Sequence, residues 1–305
     1  MRVFVTGATG FIGSAVVREL IGAGHEVVGL ARSDDAADAL RRAGAGVHRG
    51  DLDDPDSLGA GARAHDGIIH LAFGHDLHRY QEMGEVDRLA IEAMAGAMEG
   101  TDKPLVITSV TTVVEAGRTA TEDQAARIAS PSGPRAPSEH ALEEASARGV
   151  RGVAVRLPPS VHGEGDRGFV PMLIGMAREK GMAAYVGDGA NRWPAVHRLD
   201  AAHLFRLALE KGAAGSRLHA AAEEGVPMCD IAAAISGLLG VPVRSLSADE
   251  AAAHFGWMAM FAGMDNPVSS IVTRDAVGWR PQEIGLLEDM RSGPYFTSDW
   301  RNAGS

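Results

Sequence analysis

Short apolar runs alternate with longer amphipathic stretches through the first half of this 305-residue chain. Val3, Phe4 and Val5 form the first run, and residues 26–31, 47–49, 67–73, 105–110 and 153–157 form five more. Between them apolar positions recur at helical spacing. Ile12, Val16, Val17, Leu20 and Ile21 share one face, and residues 35–43 continue the pattern. A helix follows Pro55, and another covers 84–98 through Val86, Leu89, Ala90, Ala93, Met94 and Ala97. A further helix spans 138–147, with Pro137 and Ser138 at its N-terminal boundary. Strand and helix in alternation predict an α/β fold with a doubly wound parallel sheet.

The pattern changes after Pro158 and Pro159, where glycine-rich loops separate isolated helices at 169–180, 201–211, 228–239 and 248–254. This shift places a domain boundary near 159, with residues 160–305 forming mainly a second lobe. Residues 113–137 lack periodicity and read as a long loop, the kind that often carries function. There is no internal repeat.

Composition narrows the function. A hydrophobic content of 45% supports a substantial core. A formal net charge of -11 without a basic cluster makes the chain a poor partner for nucleic acid or an anionic membrane. Cys229 stands alone, which excludes an intramolecular disulfide and a cysteine-based zinc cluster. Such usage fits a reducing cytoplasm. The first strand starts at Arg2, leaving no room for a signal peptide, and no apolar run reaches membrane-spanning length. The expectation is a cytoplasmic enzyme with a small-molecule substrate.

The chemistry starts at Thr6-Gly7-Ala8-Thr9-Gly10-Phe11-Ile12-Gly13, between the first strand and the first helix. Gly7 permits a tight turn, Gly10 lets backbone approach a pyrophosphate, and Gly13 lets the helix pack closely on the strand. The helix N-terminus adds amide donors and the positive end of its dipole. This stretch resembles the TGxxGxxG fingerprint of extended and atypical members of the short-chain dehydrogenase/reductase superfamily. The resemblance implies a Rossmann domain over 1–159, a return to it at about 195–211, a small C-terminal substrate-binding lobe, and NAD or NADP as cofactor.

Further segments carry the same resemblance. Asp51, followed by Leu52, holds the position that typically contacts adenine, although a helix cap is the plainer reading of an aspartate there. His70-Leu71-Ala72-Phe73 is similar to the end of strand four beside the adenosine and pyrophosphate. Arg156-Leu157-Pro158-Pro159-Ser160-Val161-His162-Gly163 resembles the segment beside the nicotinamide, with His162 replacing a tyrosine and Pro159 a glycine. Val186-Gly187-Asp188-Gly189, Arg192, Val196-His197-Arg198-Leu199-Asp200 and Val277-Gly278-Trp279-Arg280-Pro281 extend the likeness into the second lobe. The cofactor-binding set is therefore Gly7, Thr9, Gly10, Phe11, Ile12, Gly13, Arg32, Ser33, Asp51, Leu52, Leu71, Ala72, Phe73, Thr108, Leu157, Pro158 and Pro159.

Within that set, Arg32 and Ser33 stand after the second strand, where a Rossmann protein usually places an acid for the ribose hydroxyls. A guanidinium suits a 2′-phosphate, so NADP is favoured over NAD. Asp34 and Asp35 follow immediately and keep NAD open.

The superfamily's usual chemistry needs a tyrosine and a lysine four residues apart on one helix. None of the three tyrosines, Tyr80, Tyr185 and Tyr295, has that lysine; alignment puts Arg135 at the tyrosine position and Glu139 at the lysine position. The catalytic candidates are then Ser109 and Thr111, with Thr112 beside them, as hydroxyls after strand five, and His162 as acid or base. Tyr185, Trp193 and His197 are expected toward substrate, with packing the alternative for the aromatics. His75 and His78 reach the cleft if their loop folds inward, and no metal site is expected.

The leading expectation is an NADPH-dependent reductase of a small carbonyl, imine or activated alkene. A sugar-nucleotide epimerase or dehydratase and a non-catalytic NADP-binding sensor or scaffold are the alternatives. The resemblance also implies a homodimer through helices 84–98 and 138–147, with Met94, Met98 and Leu142 either on that face or packed internally.

Overall fold

Val3, Phe4 and Val5 lie fully buried on an interior strand of a seven-stranded sheet. The computed structural model describes residues 1–74, 79–115, 117–292 and 295. The sheet comprises β1 (Arg2–Thr6), β2 (Glu26–Ala31), β3 (Gly46–Arg49), β4 (Gly67–His70), β5 (Pro104–Val110), β6 (Arg151–Leu157) and β10 (Ser216–His219). All its pairings are parallel, in the order β10-β6-β5-β4-β1-β2-β3. The order reverses beside β1, placing the crevice for a ligand above β1 and β4 at the carboxyl ends of the strands.

Helices cover both faces. On one side α1 (Phe11–Gly22), α2 (Asp34–Arg42) and α7 (Arg198–Lys211) bury Val16, Val17, Leu20, Leu40, Leu204 and Phe205. On the other, α3 (Pro55–Arg63), α4 (Tyr80–Gly96) and α5 (Ala136–Ala147) bury Leu58, Ile91, Met94 and Leu142, together with Met98 just after α4. Each fully buried side chain of this size contributes roughly 1.5–3 kcal/mol. Met94, Met98 and Leu142 therefore belong to the interior and form no exposed face for a partner.

The smaller lobe contains a three-stranded sheet of β7 (Ser160–His162), β9 (Arg192–His197) and β11 (Glu223–Pro227), and a pair, β8 (Ala183–Val186) with β12 (Val243–Leu246). Helices α6 (Phe169–Lys180), α8 (Met228–Leu239), α9 (Ala248–Phe255), α10 (Ala259–Ala262) and α12 (Leu286–Ser292) enclose its own core around Ile174, Trp193, Ile231 and Phe255. The chain crosses between lobes repeatedly. Helix α7 packs in the core of the large sheet, as does Trp279, which follows α11 (Ile271–Val277). The Trp279 indole donates to the Asp200 carbonyl at 3.0 Å.

Local chemistry accounts for two departures from the periodic pattern. Strand β4 stops at His70 because Leu71 and Ala72 turn over the glycine loop, donating their amides to the Thr6 carbonyl and hydroxyl, each at 3.3 Å. Strand β10, with the polar sequence Ser-Arg-Leu-His, has no alternating signal and forms only as an edge on β6. Within 113–137, Val113, Val114, Ala120 and Ala126 pack with Val268, so the loop holds a small core of its own.

Candidate active site

The turn between β1 and α1 is closed too tightly for a side chain at Gly7 or Gly13. Gly7 has φ +64°, and a Cβ there would lie 2.6 Å from the Ala72 amide nitrogen. A Cβ at Gly13 would lie 2.0 Å from the Gly7 carbonyl oxygen. Thr9 and Gly10 remain exposed on the rim, and Phe11 and Ile12 are half-buried at the helix N-terminus. The Arg198 guanidinium lies 5.3 Å from the centre of the Phe11 ring and donates to the Glu164 carbonyl, bringing the loop after β7 toward this turn. A cradle filled by any Cβ, with helix amides facing outward, fits a dinucleotide pyrophosphate.

At the end of β2 the structure separates residues that the sequence leaves together. Arg32 is exposed and has no partner among the described residues. The Ser33 hydroxyl caps α2 by accepting from the Ala36 amide at 3.2 Å. Asp34 is paired with Arg49, which places a cation against the first available carboxylate. Asp51 accepts from the Leu52 amide at 2.6 Å, whereas the cap of α3 is Asp54, accepting from Ser57. The helix-cap account of Asp51 thus passes to Asp54. Leu52 and Leu71 are half-buried at the rims of the two cores flanking the sheet.

Beyond β4 and β5, side chains replace backbone as the building material. Thr6 Oγ1 lies 2.7 Å from His70 Nδ1, and His70 Nε2 lies 3.0 Å from Asp87. Asp87 also accepts from Ser138 at 2.5 Å and sits 3.8 Å from Arg135. Burial pushes the Asp87 carboxyl upward, yet Arg135, His70 and Ser138 outweigh it and hold the group below its ordinary range. Thr108 donates from its hydroxyl to the His70 carbonyl at 2.9 Å and accepts on its own carbonyl from Arg135 at 2.5 Å.

A second buried network occupies the expected catalytic helix. Glu139 accepts from Arg156 through both carboxylate oxygens, at 2.9 and 2.7 Å, and from Ser109 at 2.5 Å. Burial again raises Glu139, and the Arg156 bond and charge, with Ser109 and Arg217, more than offset it. The position expected for a lysine therefore carries a carboxylate already neutralised from behind. Ser109 departs from the expectation of a free hydroxyl, because it is fully buried and bound to Glu139. Thr111 departs likewise, fully buried and donating to Asn266 at 2.7 Å.

Arg135 lies with its guanidinium 3.9 Å from the centre of the Phe73 ring. Phe73 meets Tyr80 edge to face, with centroids 5.9 Å apart. Burial raises the Tyr80 phenol above its ordinary value, opposed by the nearby Ser132 hydroxyl and by Arg135, while Asp87 adds to the rise. Ser132 Oγ in turn lies 2.6 Å from Thr112 Oγ1.

On the smaller lobe, His162 is buried with Nδ1 2.8 Å from Asp289, and its Nε2 has no partner among the described residues. The His197 ring packs on it at 5.3 Å; burial and the neighbouring His162 lower the His197 pKa. Leu157 and Pro158 are buried, and Pro159 is half-buried, between β6 and β7. Tyr295 donates to Asp166 at 2.9 Å and accepts from the Gly163 amide. Burial pushes Asp166 up to about 6. Trp193, expected toward substrate, is fully buried and donates its indole N–H to the Phe261 carbonyl, so it builds the lobe's core. Tyr185 is half-buried against Gly189, where a Cβ would lie 2.6 Å from its ring. His75 and His78 lie outside the described residues. No cluster of three or more potential metal ligands occurs among the described residues, and no helix among them is long and apolar enough to cross a membrane.

Sequence reasoning missed Tyr80, Ser132, Asn266 and Asp289. Asp289 stands 127 residues from His162, with no motif linking them. Tyr80 carried one usable signal, its membership in a set of three tyrosines.

Residues 3–221 match the NAD dependent epimerase/dehydratase family. The chain belongs to this family. Among members and relatives, it is 50% identical over 297 residues to the Schizosaccharomyces pombe "Uncharacterized protein C2A9.02", covering 97% of this chain and 100% of that one. It is 31% identical over 261 residues to the 2-alkyl-3-oxoalkanoate reductase of Stenotrophomonas maltophilia, covering 79% of this chain and 77% of the reductase. The dTDP-glucose 4,6-dehydratase DesIV of Streptomyces venezuelae, solved with NAD and TYD bound, shares the fold with a TM-score of 0.76 at 22% identity, covering 95% of this chain and 96% of DesIV. The family's doubly wound nucleotide fold is thus present in full.

Proposed function

We propose that this family member is an NADPH-dependent reductase acting on a small organic carbonyl, imine or activated alkene. The observation that carries the reading is the pairing of a closed glycine cradle with a guanidinium at the end of β2 that has no partner among the described residues. The Gly7, Gly10 and Gly13 turn, with Thr9, Phe11 and Ile12, would hold the pyrophosphate, and Arg32 the 2′-phosphate. Asp51, Leu52, Leu71, Ala72 and Phe73 would border the adenosine and its linkage. Thr108 and Leu157–Pro159 would border the nicotinamide. When bound, NADPH supplies hydride.

The protein's own residues shape the rest. Asp289 fixes the His162 imidazole through Nδ1, leaving Nε2 as a polar contact for a bound group. Arg156 keeps Glu139 ionised and inert. The 31% identical reductase supports hydride transfer to a ketone.

Fluorescence titration with NADPH and NADH, followed by NADPH consumption against aldehydes, ketones, 3-oxo acids and imines, tests this reading. NADPH should bind at least about tenfold more tightly than NADH, the scale of one charge-assisted contact. Absence of binding by either nucleotide would overturn it. Tight binding with no turnover on the panel would favour the sensor reading.

A further inference from the structure

We propose that Arg198, the first residue of α7, pairs with the cofactor's pyrophosphate and clamps the loop at 163–168 over it. The inference rests on the nucleotide binding assigned above and deepens it by naming a positioning residue outside the glycine turn. Helix α1 begins its internal ladder with the Ser14 amide, which donates to the Gly10 carbonyl at 2.9 Å. The amides of Phe11, Ile12 and Gly13 therefore have no partner within the helix and face the place where a phosphate binds. Arg198 stands at this same end. Its guanidinium carbon lies 5.3 Å from the centre of the Phe11 ring.

The loop after β7 meets both groups. Arg198 Nη1 donates to the Glu164 carbonyl at 2.7 Å. A Cβ on Gly165 would lie 3.7 Å from Arg198 Nη1 and 3.9 Å from Phe11 Cδ2. Gly163 has φ +127° and Gly165 φ +84°, a backbone course that residues with side chains rarely adopt. The loop is tied from its other side as well. The Tyr295 hydroxyl accepts from the Gly163 amide at 3.1 Å and donates to Asp166 at 2.9 Å. Phe11, Arg198 and Gly165 thus converge on one spot, where the nucleotide lobe touches a loop of the smaller lobe.

Arg198 is suited to an anion there. It forms no ion pair within 4.0 Å among the described residues. Glu164 uses Nη1, while Nε and Nη2 have no hydrogen-bond partner among those residues. A guanidinium fork with donors to spare matches phosphate oxygens, and it can hold a carbonyl at the same time. Its root is fixed, because α7 packs Leu204 and Phe205 into the core and His197 caps the helix by accepting from the Leu199 amide at 3.3 Å. Burial lowers the Arg198 pKa and Arg18 adds to that effect; a bound pyrophosphate would offset both. Nucleotide binding then stiffens the segment that runs from His162 to the start of α6.

Fluorescence titration and amide hydrogen exchange test the two halves. In the wild-type protein NADPH and NADH should each slow exchange across residues 163–168. Arg198→Met should weaken both nucleotides by the same factor, about tenfold, the scale of one charge-assisted contact. The slowing should also disappear, even at nucleotide saturation. Equal loss separates this residue from Arg32, whose removal should spare NADH. Arg198→Lys keeps the charge but offers no planar fork; it should restore most of the affinity and none of the slowing. If Arg198→Met fails to fold, Arg198→Lys carries the same readouts. Wild-type Kd values for both nucleotides in Arg198→Met overturn the proposal and leave the reductase reading standing. A loss confined to NADPH overturns the pyrophosphate assignment, and normal slowing in either variant overturns the clamp. Failure of the wild type to bind any nucleotide overturns both readings.

Discussion

At the glycine turn the binding surface is backbone, and at the start of α5 it is side chain. Around Gly7 and Gly13 a single Cβ would penetrate main-chain atoms, so the permitted residue at each position is dictated by space. Around Arg135 and Glu139 the same helix geometry carries a different set of charges, with Arg156 neutralising Glu139 and Phe73 receiving Arg135. A site made of backbone leaves one readable signature in any sequence that retains it. A site made of side chains can change its charges without disturbing the fold beneath it.

The sharpest way to break this comparison is to attack the rebuilt network itself. Glu139→Ala leaves the Arg156 guanidinium buried without its carboxylate, and should cost about 3–5 kcal/mol of stability in denaturant unfolding. Folded Glu139→Ala protein should still bind NADPH, because the glycine turn is untouched. Gly13→Ala tests the opposite half. Its Cβ meets a carbonyl that cannot rotate away, so about 1–3 kcal/mol of stability should go, at the upper end of that range, together with measurable NADPH binding in the same titration.

A smaller effect is expected at the adenosine end. Arg32→Ala should weaken NADPH about tenfold while leaving NADH unchanged, equivalent to about 1.4 kcal/mol; equal losses for both nucleotides would remove the 2′-phosphate assignment. The mildest change lies in the smaller lobe. Burial raises Asp166 from 3.8 in the unfolded chain to about 6, with His162, Asp289 and Tyr295 facing it. A raised carboxyl binds its proton more tightly in the native state, so its stabilising contribution is full below about pH 4 and is lost as pH rises through about 6. The Tm difference between wild type and Asp166→Asn should fall across that window, and parallel Tm–pH curves would count against the assignment.

Much of the nucleotide lobe was legible because its strands are nearly continuous apolar runs separated by helices of clear period. Residues 26–31 in the nucleotide lobe, and 169–180 and 228–239 in the smaller lobe, form elements with the bounds their patterns indicate. Strand β10 escaped because a four-residue polar edge strand has no periodicity to display. At the active site, Gly7, Gly10 and Gly13 were readable as a unit because they are close in sequence. Ser109 and Thr111 were readable only by position, since nothing near them announces Glu139 or Asn266 as partners. Trp193 carried an aromatic signal that suits a cleft wall and a core equally, and burial assigned it to the core.

The sequence by itself determined the parallel α/β order, the glycine turn and the absence of the tyrosine–lysine pair. Each of these is a local property, set by spacing within one or two elements. Only the tertiary structure decided which hydroxyls are occupied, that Asp289 holds His162, and that Phe73 contacts both Tyr80 and Arg135. Those facts join residues on different elements, and their energies come from burial and charge pairing that exist only once the elements have packed.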